Sequence, residues 1–204
     1  MSVLIYGTAI QFHVMRVKDE NINEKETGCE LMFKQVYNAD GEYGKQVVQD
    51  LILPETHSKP EVLERYASFG RRIHWIDGNV VPGAFQMNTS WYFKPNRPVD
   101  TESAGKESGL GVFKPHKHDS DEILGFYGSN PHDPYELGAE VELFIEGESH
   151  ILTKSTLVFL PGGMEHCPLY INRVDSPVFH FSIIMESKYT LRHDDEGGVL
   201  MIAE

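Results

Sequence analysis

From Arg71 to Ile184 the chain is mostly a succession of short β-type runs, and this pattern constrains the fold more than any other feature. The runs are rich in aromatic and β-branched residues and are separated by Gly, Pro and Asn turns. Such spacing predicts a mainly all-β fold, either a sandwich or a barrel. The predicted strands are RRIHWIDG, AFQMNTSWYFKP, VFKPHKH, EILGFYG, AEVELFIEG, ESHILTKSTLVFLPGG, CPLYIN and PVFHFSII.

Helix signals are scarce, and the best candidate spans Ser58 to Phe69. Ser58 can cap the first turn, Pro60 suits the first helical position, and Glu61 stands where a capping box needs it. We therefore expect one or two short helices beside the strands. The Gly147–Glu148 pair separates two alternating runs and predicts a β-hairpin.

The chain divides into three parts on these signals. Residues 1–55 contain N-terminal strands and a hairpin around Asp40–Gly41, which we expect to pack on the main β-domain or on a partner subunit. Residues 56–190 form the main β-domain, and residues 191–204 form a C-terminal tail. Within the main domain, the polar segment 97–111 is rich in Gly and Ser and is a candidate lid over a site.

Charge and cysteine content exclude several classes of function. The 204 residues carry a formal net charge of −13, which repels phosphate backbones and argues against nucleic-acid binding. No run approaches the roughly 20 apolar residues of a membrane span. The two cysteines, Cys29 and Cys167, show no metal-binding or disulfide spacing. These features predict a cytoplasmic protein with neither a membrane nor a nucleic-acid partner.

The richest chemical signal is a cluster of histidines and a glutamate between residues 115 and 122. His116 and His118 are two residues apart, so in an extended segment their side chains point the same way. Glu122 keeps the same parity and follows a turn that can bring its carboxylate back towards the imidazoles. His166 comes later, after a tight Pro-Gly-Gly turn. Imidazoles and a carboxylate together suit a divalent transition metal.

These two segments resemble the motifs of the cupins. HKHDSDE has the form H-x-H-x3-E, PGGMEH has the form P-x-G-x-x-H, and a β-rich span separates them. The match covers residues 109–172, and it departs from the usual first motif because Leu110 stands where a Gly is common. The resemblance implies a double-stranded β-helix, or jelly-roll barrel, that holds one metal ion, Fe²⁺, Mn²⁺, Zn²⁺ or Ni²⁺. It also implies that the metal ligands are His116, His118, Glu122 and His166.

Other polar and aromatic residues are candidates for a substrate pocket, each with an alternative role. Arg72 could bind a substrate carboxylate, although we favour a solvated strand end. His180 and Ser182 interrupt an apolar run on one face, so they could face the cavity, where buried polar groups need partners. Gln86 and Asn88 could bind a substrate or belong to an outward polar face. Trp91 could line a pocket or belong to the core, and Phe126 and Tyr170 lie on strands near the implied ligands.

Cupin resemblance leaves the reaction open, because a fold does not determine chemistry. We expect a metal-dependent enzyme acting on a small organic substrate, with an oxygenase slightly favoured over an isomerase or a lyase. The alternative is a non-catalytic small-molecule-binding module that acts as a sensor. No catalytic residue beyond the implied ligands is assigned. We also expect a homodimer, because strands of residues 1–55 could pair across a subunit interface.

Overall fold

The computed structural model describes residues 43, 46–53, 60–97, 114–192 and 200–202. The predicted strand near the N-terminus, the Asp40–Gly41 turn and nearly all of the 97–111 lid therefore lie outside the described residues. Residues 46–53 are described and contain no strand. The strands expected within residues 1–55 therefore do not include this stretch.

One helix and ten strands make up the regular structure of the described residues. Helix α1 spans Pro60–Ala67, within the segment that the capping signals predict. The strands are β1 Gly70–Ile76, β2 Gln86–Tyr92, β3 Glu122–Gly128, β4 Glu136–Ile145, β5 Glu148–Lys154, β6 Thr156–Leu160, β7 His166–Val174, β8 Val178–Ile184, β9 Thr190–Arg192 and β10 Leu200–Ile202. The mainly all-β prediction is confirmed.

Two of the predicted strands differ from the structure. The run from 148 to 163 is split at Ser155, where the chain leaves one sheet for the other and the backbone N–H donates to the carbonyl of Tyr135. The run VFKPHKH forms no strand over its described residues, and His116 makes only an isolated bridge with His166. No regular strand forms in this second run because Pro115 has no N–H to donate and the chain bends directly after His118.

The described strands form antiparallel sheets whose order does not follow the sequence. One sheet has the order β1-β2-β8-β3-β6, a second has the order β5-β4-β7, and β9 pairs with β10 in the tail. Neighbours in space such as β2 and β8 are therefore far apart in the chain, as in a jelly roll. The predicted hairpin is confirmed, because β4 and β5 meet at Glu146 and Gly147, both with positive φ.

The core lies between the two sheets, and strand alternation decides which side chains reach it. On β8, buried residues alternate with half-buried ones. Residues directly opposite on neighbouring strands share a face, so the buried face of β1, β2, β8 and β3 forms one continuous inner wall. Its other side carries partly exposed aromatic residues such as Phe179 and Phe181.

Among the described residues, no helix is both long enough and apolar enough to cross a membrane. The expected homodimer and the expected cytoplasmic location stay predictions.

From the inner wall we predict that two phenylalanines on paired strands contribute very differently to the free energy of unfolding. Phe126 on β3 is 0% exposed, whereas Phe159 on β6 is 60% exposed. Phe126→Ala should lower the free energy of unfolding by about 3–5 kcal/mol, because it removes a fully buried ring and leaves a cavity. Phe159→Ala should change it by no more than about 0.5 kcal/mol. Urea unfolding of both variants measures the difference, and equal losses would contradict this inner wall.

Candidate metal centre

The two motifs meet through backbone hydrogen bonds although they are distant in sequence. The N–H of His116 donates to the carbonyl of His166 at 3.0 Å, and the N–H of His166 donates to the carbonyl of His116 at 2.9 Å. Glu122 begins β3 and His166 begins β7, so each functional side chain stands at a strand end or just outside it. All four side chains of the implied ligand set are consequently buried at one end of the space between the sheets.

Two hydrogen bonds connect the Pro-Gly-Gly turn to the segment of the first motif. The Gly163 N–H donates to the carbonyl of His118 at 2.7 Å, and the Gly162 N–H donates to the Asp121 carboxylate at 2.9 Å. Glycine is required at position 162, because a Cβ there would lie 2.3 Å from the backbone oxygen of Asp119. This close approach fixes the position of one motif relative to the other.

The histidines His116, His118 and His166 converge on one point. One ligand atom from each of the three lies within 4.8 Å of the others. The Glu122 carboxylate adds a fourth donor, since its Oε2 is 3.0 Å from His166 Nε2 and 3.5 Å from His118 Nε2. Atoms bound to one ion at about 2.1 Å are at most about 4.2 Å apart. Side-chain shifts of a few tenths of an ångström would therefore suffice to enclose an ion.

The three histidines share one hydrogen-bonding arrangement that fixes their tautomer. Each places Nδ1 against a backbone carbonyl, which can only accept a proton, so Nδ1 carries the hydrogen. In the neutral ring, Nε2 then keeps its lone pair. This is the usual state of a metal-bound histidine held by an outer partner. The three acceptors are the carbonyls of Lys114, Thr190 and Met164.

Two buried atoms at this point lack a hydrogen-bond partner. They are His118 Nε2 and Glu122 Oε2. Oε2 lies close to His166 Nε2 without a hydrogen bond, which is expected if that nitrogen presents a lone pair rather than a proton. Burial, the largest cause, lowers the pKa of His118 and favours its neutral form. A buried carboxylate beside neutral imidazoles needs a cation, and the donor set fits a divalent metal.

A cavity of about 60 Å³ adjoins this cluster. Four of the pocket residues proposed from the sequence line it, namely Arg72, Asn88, His180 and Ser182. The Asn88 amide donates to the Ser182 hydroxyl at 2.7 Å. The complete lining is Tyr66, Arg72, Trp75, Asn88, Tyr92, His116, Glu122, Leu124, Leu143, His166, Cys167, Leu169, His180, Ser182 and Tyr189.

Trp91 and Tyr170, also proposed as pocket residues, do not line the cavity. Trp91 pairs with Phe179 on the outer face of its sheet, with ring centroids 5.3 Å apart, because the inward position belongs to Tyr92. Tyr170 stands between two core residues of β7 and points outward, where the Arg97 guanidinium lies 4.7 Å from its ring centroid. Strand alternation therefore places both side chains on the outer faces of their sheets.

Phe126 and Gln86 face inward but lie outside the cavity lining. Phe126 belongs to the hydrophobic core. Gln86 is fully buried on the inner wall, and neither polar atom of its side-chain amide has a hydrogen-bond partner. The prediction that Gln86 belongs to an outward polar face is therefore wrong. Gln86 is opposite Ile184, which is opposite Glu122, and all three side chains point inward.

Several lining residues were not proposed from the sequence as pocket residues. Tyr189 comes from the segment before β9, and its ring centroid is 5.4 Å from that of His118, a contact that no local pattern signals. Strand alternation by itself would point Cys167 away from His166, yet both residues line the cavity. The φ of 74° at Cys167 and a register shift opposite it break strand alternation there. Burial raises the pKa of this thiol, so it stays protonated.

The two antiparallel sheets, with both motifs meeting between them, form the jelly-roll arrangement that the motif resemblance implies. No protein-family model and no curated protein matches the chain. Among solved structures, the chain is similar to an oxalate oxidase in complex with glycolate, at 14% identity and a TM-score of 0.41 over 76% of this chain and 64% of that chain. It thus spans less than two thirds of the oxalate oxidase chain.

Two further solved structures are similar at a comparable distance. KdgF from Halomonas sp. is 16% identical with a TM-score of 0.32, over 62% of this chain and 81% of that chain. An RmlC-like cupin from Shewanella frigidimarina is 13% identical with a TM-score of 0.29, over 50% of this chain and 66% of that chain. Similarities at this level carry no information about activity, which depends on the side chains at the site.

The close approach at Gly162 gives a test of the connection between the motifs. Gly162→Ala should lower both stability and metal affinity, because the new Cβ forces the Pro-Gly-Gly turn away from Asp119. We expect a loss of about 1–3 kcal/mol in unfolding free energy. Gly147→Ala is the control, since its positive φ strains the hairpin while the space around it is open. Metal affinity unchanged in Gly162→Ala would contradict the connection.

A pH-dependent loss of stability should arise from His180. Its Nδ1 donates to the Gly125 carbonyl at 3.0 Å, its ring stacks on Tyr92, and burial, the largest cause, lowers its pKa to about 4. Because the folded pKa is below the ordinary 6.5, the unfolded chain binds the proton first. Stability from this residue is present above pH 6.5 and falls by about 3 kcal/mol as the pH drops to 4.

His180→Asn should abolish this component of the pH dependence. Urea unfolding of both proteins between pH 7 and pH 4, with metal removed by a chelator, measures it. The nearest charged groups that act on the ring, Glu122 and Arg72, are the same in both proteins. Parallel losses in the two proteins would show that His180 is not the group responsible.

Proposed function

We propose that this chain is a metal-dependent cupin enzyme that acts on a small organic substrate in the cavity beside the histidines. In this proposal one divalent transition metal ion is bound by His116, His118, Glu122 and His166. The observation that carries it is the convergence of three imidazoles in one tautomer with a buried carboxylate that has no hydrogen-bond partner for Oε2. Small-molecule sites are typically concave and mostly apolar with a few placed polar groups, as this cavity is.

The chain's own residues prepare this centre in two ways. The carbonyls that accept from each Nδ1 orient the rings and make Nε2 the better ligand. The aromatic and aliphatic walls, including Tyr189 beside His118, exclude water and so strengthen the interaction between the carboxylate and a cation. A bound ion with open coordination positions would polarise a substrate oxygen or bind oxygen as a reactant.

Within this proposal, oxygen-dependent chemistry with Fe²⁺ ranks before isomerase or lyase chemistry with Mn²⁺, Zn²⁺ or Ni²⁺. Isomerisation and elimination usually need a side chain that exchanges a proton near neutral pH. Among the described lining residues outside the proposed ligands, His180 is the imidazole. Its Nδ1 is engaged by Gly125, and its pKa is lowered to about 4. This ring suits positioning better than proton transfer, which supports the order given.

Metal content is the decisive measurement. Untagged protein purified without chelator should contain about one equivalent of metal per chain by plasma mass spectrometry, and His118→Ala should contain less than about a tenth of that. His132→Ala is the matched control, because His132 lies in an exposed turn between β3 and β4 and does not line the cavity. Glu122→Gln keeps the side-chain shape and should also lose metal.

The identity of the ion ranks the reactions. Iron would favour oxygen-dependent chemistry, measured as oxygen consumption with candidate substrates, whereas manganese, nickel or zinc would favour isomerase or lyase chemistry. Protein that binds none of these ions, even after reconstitution with each, would contradict the ligand assignment. The non-catalytic binding module would then be the better explanation of the cavity.

A further inference from the structure

Arg72 brings a positive charge into the cavity, and no acidic side chain in the described part of the chain forms an ion pair with it. Its guanidinium carbon lies 4.8 Å from the ring centroid of Tyr66 and 5.4 Å from that of Trp75. The Nε atom is buried and has no hydrogen-bond partner. Among the described residues, no hydrogen bond or ion pair involves Arg72. Cation–π contacts compensate part of the lost hydration, and the N–H donors remain to be satisfied.

This lack of a partner is unusual for such an acidic chain. The sequence has 31 Asp and Glu against 18 Lys and Arg, so carboxylates are abundant. Exposed Arg97 and Arg173 both pair with acidic side chains. The half-buried Arg72 instead faces a cavity, where a guanidinium with a buried Nε is costly to keep unless an anion meets it. A ligand is therefore the natural source of that anion.

Arg72 and the proposed metal ligands lie at different positions along the paired strands of the inner wall. Arg72 is opposite Ser90, Ser90 is opposite His180, and His180 is opposite Phe126 on β3. Phe126 is four residues along the strand from Glu122, which corresponds to about 13 Å. Both Arg72 and Glu122 have side chains that reach into the same cavity. A molecule that contacts both must therefore carry two separate polar groups.

The residues between Arg72 and Glu122 on the inner wall could contact the part of the molecule that joins its two polar groups. Asn88 and Ser182 are opposite each other there and hydrogen bond at 2.7 Å. Since the Ser182 oxygen accepts from Asn88, its own proton is available to a ligand. Trp75, which lies opposite Asn88 on β1, supplies an apolar surface. Two polar groups joined by a short apolar stretch fit this order of side chains.

We propose that Arg72 binds the carboxylate of a small oxo or hydroxy acid whose carbonyl or hydroxyl oxygen faces the histidine cluster. The second half of this statement rests on the proposed metal centre, whereas the Arg72 contact does not. A guanidinium binds a carboxylate through two parallel hydrogen bonds, and the rings of Tyr66 and Trp75 hold its plane. The site thus selects acids from a wider set of oxygen-bearing molecules.

Trp75 provides a direct readout of binding at this subsite. The chain has two tryptophans, so a Trp91→Phe background leaves Trp75 as the fluorescent group under the Arg72 guanidinium. The ligands are levulinate and 5-oxohexanoate, each titrated beside its neutral carboxamide. Both acids carry a ketone at a distance from the carboxylate. We expect at least one acid to bind about ten-fold or more tightly than its amide.

Variants of the two adjacent arginines test the assignment. Arg72→Gln should abolish the preference for acid over amide, and Arg72→Lys, which keeps the charge but loses the planar fork, should retain part of it. Arg71→Gln is the matched control, because Arg71 is exposed and opposite Trp91 on the outer face. It should keep the full preference. Near-ultraviolet circular dichroism checks that each variant is folded.

Each titration is performed on metal-loaded and on chelator-treated protein, with metal content measured in parallel. An acid preference in both forms that is lost in Arg72→Gln supports the subsite even if no metal binds, in which case the metal centre alone fails. No acid preferred over its amide, or a preference that survives in Arg72→Gln, overturns the subsite while leaving a measured metal untouched.

Discussion

The reciprocal backbone pairing of His116 with His166 is the contact on which the site depends. It joins two segments that are separated by four strands, and the bond from the Gly163 N–H to the His118 carbonyl joins them a second time. Backbone bonds of this kind allow little rotation, so the side chains beside them have few positions available. The main-chain hydrogen bonds therefore bring the imidazoles together by themselves.

The interior formed in this way contains several buried polar atoms that have no hydrogen-bond partner. Buried polar atoms in folded proteins nearly always have partners, and most of those described here do. The exceptions cluster around the cavity or near it: Arg72 Nε, His118 Nε2, Glu122 Oε2 and the Gln86 amide. Arg72 and Glu122 line the cavity, and His118 belongs to the histidine cluster beside it. An anion would satisfy the first of these side chains and a cation the other two. Charge of both signs is thus kept apart on one wall, with a hydrogen-bonded amide and hydroxyl between.

Much of this fold follows from local patterns that the sequence displays. Alternation of apolar and polar residues predicts β8 and which of its residues point inward, so His180 and Ser182 could be proposed as cavity residues. The same rule misjudges positions where the backbone departs from an extended conformation. Cys167 has a positive φ and turns inward beside His166. Trp91 and Tyr170 are aromatic residues on strands, and composition alone does not tell which face of a strand is the inner one.

The sequence by itself determined the spacing of each motif, the succession of strands and the tight turn before His166, because these depend on near neighbours along the backbone. Only the tertiary structure decided that Arg72 shares a cavity with Glu122 and that Tyr189 packs against His118. The reason is that strand order and register set which levels of the inner wall face one another. Order and register arise from pairing between segments far apart in the chain, and no window of sequence contains both partners.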